Sequence, residues 1–206
     1  MLEDTEKGTV LRDGVLAFFL SSVMYYFGLT NLLFVCPLLR FSANHGKKAF
    51  GYAALAELCY VVGYAFYICS GSELYAFSLV LNLFIPVSLL AAGAIWLFAS
   101  EMRWQKRLFL SFLPAILLTA ALAVYLNMDR ALFASVFDRY RNVFADLLSA
   151  LFNDAASAVD SDYFFEMIAT TVGVMMLPVI LAAVCASCFY YENVLYSKES
   201  GIDGKV

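Results

Sequence analysis

Five long apolar runs divide the chain, at 14–39, 49–70, 74–99, 108–126 and 163–191, with short polar connections between most of them. A helix rises about 1.5 Å per residue and a bilayer's hydrocarbon core is about 30 Å thick, so about 20 apolar residues suffice for one crossing. Each run meets that length. The pattern predicts an all-α polytopic transmembrane helical bundle: a polar tail over 1–13, one membrane domain over 14–195 and a second polar tail over 196–206.

The connection over 127–162 has its own periodicity. Between 129 and 152 the apolar residues fall in steps of three and four, through Leu132, Val136, Tyr140, Val143, Leu147 and Leu151, while Arg130, Asp138, Arg139, Arg141 and Asp146 take other faces. That spacing predicts an amphipathic helix that lies on the membrane or caps the bundle rather than crossing.

The first run poses a topological choice. It is 26 residues long, uncharged, and interrupted by "GLTN" at 28–31 and by Pro37. Read as one span, it puts 8 Lys and Arg inside and 5 outside; folded back at "GLTN", it puts 10 inside and 3 outside. The excess of cations on the cytoplasmic side favours the second arrangement. The first run then gives two elements, for six in all, and both termini face the cytoplasm. Gly28 suits a turn, and Thr30 and Asn31 suit a cap on the second half. That half is too short to cross lipid unaided and must be sheltered by other helices.

Composition agrees with this class. Of 206 residues, 63% are hydrophobic and 15% charged, and the mean hydropathy is +0.80. Such a chain cannot cover its apolar surface in water, so membrane lipid is its first partner and a multi-pass cell (inner) membrane location follows. A net charge of −4 excludes a nucleic-acid partner. The five cysteines all lie in apolar runs and predict no disulfide framework, no N-x-S/T sequon occurs, and the first run has no cleavage signature, so it is read as retained.

Several features together carry a resemblance. A first helix with a glycine turn leads to "CPLLR" and then "NHGKKAFGYAALAE", and the last run reads "MMLPVILAAVCASCFYYENVLYSK". The matching points are Pro37–Leu38 before the basic "HGKK", and Leu177–Pro178 in the last helix. In these the chain resembles the YybS-like family of bacterial membrane proteins, itself similar to the substrate-binding S subunits of energy-coupling-factor transporters. Members of that family continue with further hydrophobic segments, whereas this sequence stops. The resemblance implies a six-element bundle with cytoplasmic termini. It also implies a coupling-module partner that docks on a small-residue face of the first helix, where Ala17 and Ser21 stand four apart.

Chemical motifs are sparse. The chain has one histidine, His45, and lacks H-E-x-x-H, G-x-S-x-G and phosphate-loop signatures, so no catalytic residue, metal site or cofactor is expected and the chain reads as a non-enzyme. Cys185 and Cys188 form a C-x-x-C inside an apolar helix, which is the spacing of two buried side chains. Glu57 stands out, nine residues from the nearest other charge, Lys48. A carboxylate there costs at least about 2.5 kcal/mol against lipid and must face protein or a water-filled cavity, either as a ligand or proton group or as a structural acid. Asn31 and Asn82 are candidate partners for it. Glu73, Tyr163 and Glu166 could rim an outward pocket with Tyr75 and Asp162, or be interfacial and solvated residues. Two functions remain open: a small-molecule-binding, S-subunit-like transport component, and a non-catalytic scaffold that binds other membrane proteins. A water-accessible cavity at Glu57 favours the first, and a closed interior favours the second.

Overall fold

The computed structural model describes residues 2–27, 30–71, 75–128, 134–135, 137–139, 141–143, 145–146 and 161–200. Every regular element among them is helical: α1 (Leu2–Tyr26), a 3-10 turn (Thr30–Leu33), α2 (Val35–His45), α3 (Lys47–Cys69), α4 (Tyr75–Phe98), α5 (Trp104–Met128) and α6 (Ser161–Glu199). Four helices are long and apolar enough to cross a membrane, over Lys47–Cys69, Ser78–Phe98, Trp104–Tyr125 and Val174–Glu199. Four such helices are compatible with an integral membrane protein. The chain divides into two compact units, residues 1–116 with 180–206, and residues 117–179.

In the larger unit the first apolar run is broken, as the charge count favours. The helix of α1 stops at Tyr26, and Thr30 Oγ1 donates to the carbonyls of Met24 and Phe27, both at 2.8 Å. Thr30 therefore satisfies the end of α1. The expected cap on the second half is not made by Thr30 or Asn31. The residue at that position is Phe34, which has no side-chain cap, because the 3-10 turn carries the chain into α2 without an exposed start. Gly28 lies outside the described residues. Pro37 sits in the first turn of α2, where a missing N–H costs nothing.

α1 and α2 run antiparallel, with Ser21 Oγ donating to the Phe34 carbonyl (2.7 Å) and His45 Nε2 to Asp13 Oδ2 (3.1 Å). At 11 residues, α2 is about 16 Å long and cannot cross lipid. It is sheltered instead: Phe34, Val35, Leu38 and Leu39 are all buried among α1, α3 and α4. The corner into α3 falls on Gly46, whose φ of 89° is disfavoured for any residue with a Cβ. α1 also begins earlier than expected. Residues 2–13, read from sequence as a tail, continue the helix.

These contacts gather several segments at one end of the unit: Asp13, the α2–α3 corner, the α4–α5 connection and the end of α6. Lys47 Nζ donates to Ser100 Oγ, and Lys198 Nζ donates to the Ala43 carbonyl (2.9 Å). Arg107, at the start of α5, is 8% exposed. Its guanidinium lies 3.9 Å over the Trp96 ring, donates to the Trp96 carbonyl (2.6 Å) and pairs with Glu192 of α6 (2.8 Å).

The smaller unit holds the later part of α5 and the earlier part of α6. Between them, residues 134–135, 137–139, 141–143 and 145–146 are helical. The rest of the amphipathic helix expected over 129–152 lies outside the described residues.

Candidate functional site

Ala49, Ala53 and Glu57 follow one another at four-residue steps on α3, so the acid lies on a face that small side chains let another helix approach. α1 fills that approach. The Glu57 side chain is 0% exposed, and Ser22 Oγ donates to its Oε2 at 3.2 Å, with Oε1 at 3.5 Å. Beyond it, Tyr25 and Phe34 pack ring to ring, and Tyr25 meets Tyr60 and Tyr64 edge-on at 6.4 and 5.9 Å between centroids. The carboxyl group is thus held by the Ser22 hydroxyl and buried from the surface of the unit. No cluster of three His, Cys, Asp or Glu occurs among the described residues. One carboxyl and one hydroxyl can share a proton, but they do not form an acid–base pair.

Asn31 and Asn82 are not its partners. Asn31 Oδ1 is buried in the 3-10 turn with no hydrogen bond. Asn82, on α4, donates to the Ser78 carbonyl (2.8 Å) and to Cys69 Sγ (3.7 Å). Helix rotation decides this, because the α1 face that meets Glu57 presents Ser22, one residue beyond the flagged Ser21. The signal that could have found Ser22 is a hydroxyl pair, Ser21–Ser22, inside an apolar run opposite a lone acid.

The other candidates are dispersed. Tyr163 and Glu166 are exposed on the early part of α6, in the smaller unit, and Glu73 lies outside the described residues. Ala17 and Ser21, the pair that the resemblance would offer to a coupling module, are both buried within this chain, where Ser21 ties the turn to α1. Cys185 and Cys188 are free thiols inside α6, and Cys36 Sγ reaches Ser187 Oγ of the same helix at 3.7 Å.

Grooves open on the larger unit, three of them lined by described residues. One, of about 420 Å³, runs between α1 and α3, lined by the small residues Gly14, Ala49, Ala53 and Ala56 and by larger ones that include Phe18 and Tyr52. A second, of about 320 Å³, runs between α1 and α2 past Leu16, Leu20, Pro37 and Arg40. The third, of about 180 Å³, lies between α2 and α6 at Arg40, Tyr190, Asn193 and Ser197. Glu57 lines none of the three. Beside the second groove, the His45 ring holds the Asp13 carboxyl below the usual carboxylate range, with Arg12 adding to the effect. Searches against protein-family models, curated proteins and solved structures find no match to this chain.

Proposed function

We propose that the protein is a non-catalytic scaffold of the cell membrane, binding other membrane proteins through its lipid-facing helices. The observation that carries this reading is the closed interior. The buried polar group expected to meet a solute, Glu57, is fully covered and hydrogen-bonded to Ser22 of the same chain. A transport subunit needs a water-accessible path to such a group. A scaffold needs only that the group be satisfied, since an unpaired acid is costly in lipid.

The α1–α3 groove supports membrane-embedded partners. The small residues in its lining, Ala56 among them, suit the close approach of a transmembrane helix of another protein, and such approach favours helix association in lipid. In this reading the basic end of the bundle faces the cytoplasm. Arg40, Lys47, Lys48, Arg103, Lys106, Arg107 and Lys198 all lie on segments that meet at that end, which supports the cation count.

The test uses a photoreactive phenylalanine analogue at Tyr52, an exposed side chain on the groove, in native membranes. The expected product is a cross-link to one membrane protein that disappears when Ala56→Leu, at an exposed lining position, fills the groove. The same analogue at exposed Phe109 on α5 should give no such product. Lipid adducts alone at Tyr52, or a protein adduct indifferent to Ala56→Leu, would contradict the scaffold reading.

A further inference from the structure

Arg40 is a cation that the fold leaves without a partner among the described residues and that lines two grooves. It is exposed near the middle of α2, where chain on either side is buried, and it makes no ion pair or hydrogen bond among the described residues. Its neighbours at the same end are engaged: Lys47 with Ser100, Arg107 with Glu192, and Lys198 with the Ala43 carbonyl. Arg40 also lines two grooves of opposite character, one on each side of α2. On the α6 side it meets Tyr190, Asn193 and Ser197, which are neutral hydrogen-bonding groups. On the α1 side the walls are Leu16, Ala17, Leu20, Pro37 and Phe41, with Asn44 and Asp13 at the mouth.

We propose that Arg40 holds the phosphate of an anionic phospholipid, drawn from the leaflet on the basic side of the bundle. The polar groove between α2 and α6 takes the phosphate and its headgroup, and the apolar groove between α1 and α2 takes the upper part of an acyl chain. Charge complementarity selects this occupant. Arg40 offers a planar fork of N–H donors suited to phosphate oxygens, and Lys198 beside Ser197 adds positive field. Two of the nearby acids are already occupied: Asp13 by His45 and Arg12, and Glu192 by Arg107. A zwitterionic lipid would bring its quaternary ammonium against two cations, with no carboxylate among the residues lining the polar groove to receive it. Basic pockets between helices on the cytoplasmic side are the general setting for acidic headgroups.

The experiment is native mass spectrometry of the full chain in mild detergent. Phosphatidylglycerol, phosphatidylcholine of the same acyl chains and inorganic phosphate are added separately and in competition. The wild type should retain one phosphatidylglycerol on the order of tenfold more strongly than phosphatidylcholine, and Arg40→Gln should lose that preference, as expected for removing one charge-assisted contact. Asn193→Asp, which sets a carboxylate in the polar groove, should lose it too, whereas Arg103→Gln, at an exposed cation elsewhere, should keep it. Equal retention of the two lipids by the wild type would overturn the proposal. So would undiminished phosphatidylglycerol on Arg40→Gln, or its displacement by millimolar phosphate, which marks a free-anion site.

Discussion

Replacing Arg107 with Leu is expected to destabilise the larger unit by about 2–4 kcal/mol, because three interactions end at one side chain. The Trp96 carbonyl loses its donor, the Trp96 ring loses the cation over its face, and Glu192 loses its ion partner. The loss stays below that of a fully buried pair, since the Glu192 side chain is 37% exposed and water can take over part of its solvation. Arg107→Lys keeps the charge but not the planar fork or the stacking, and should fall between the two. Arg103→Gln, at an exposed cation in the same connection, should change stability by less than about 0.5 kcal/mol. Thermal unfolding in detergent reads all three variants, and the emission of Trp96 gives a local signal. Equal melting temperatures for the wild type and Arg107→Leu would show that the clamp contributes nothing.

Gly93→Leu is expected to have the other large effect. A Cβ at this position of α4 would stand 3.0 Å from Val35 Cγ1 and 3.3 Å from Phe50 Cζ, with Leu39 Cδ2 at 3.7 Å. The glycine is therefore where α4 comes close to both α2 and α3. Alanine there pushes only on the tips of side chains and should cost about 1 kcal/mol. Leucine adds three further carbons to a filled space and should cost about 3 kcal/mol or separate α2 from the bundle. Because α2 is too short to stand in lipid alone, its separation should expose Cys36 to thiol reagents. A Gly93→Leu protein with unchanged melting and unchanged Cys36 reactivity would contradict this packing.

The helices were legible because lipid leaves the sequence little choice: a spanning segment must be apolar for about 20 residues and must satisfy its own backbone. The break in the first run was legible from charge counting and from "GLTN". The function of Thr30 was not, because a hydroxyl near a turn can cap the helix before it or the one after. The helical start of α1 was missed because the reading followed apolarity, whereas Glu and Lys are good helix formers in their own right. Burial of Glu57 followed from the cost of a carboxylate in lipid. Its partner did not, because Ser22 is 35 residues away and only the rotation of α1 chooses it over Asn31. Arg107 was hidden for a similar reason. In sequence it is one of three cations in a polar connection, and Glu192 lies 85 residues further on.

The central claim is that the interior around Glu57 is closed to water. Cysteine accessibility in oriented membrane vesicles tests it most directly, with single cysteines at Ser22 and at Glu57 in a background lacking the native thiols. Thr5→Cys serves as the positive control and should label from the cytoplasmic side. The account predicts that a membrane-impermeant maleimide leaves Ser22→Cys and Glu57→Cys unmodified from both sides, and that both react once the protein is unfolded in denaturing detergent. Rapid labelling of either position from one side of the intact membrane would reveal a water path to the acid and would contradict the closed scaffold in favour of a transport subunit.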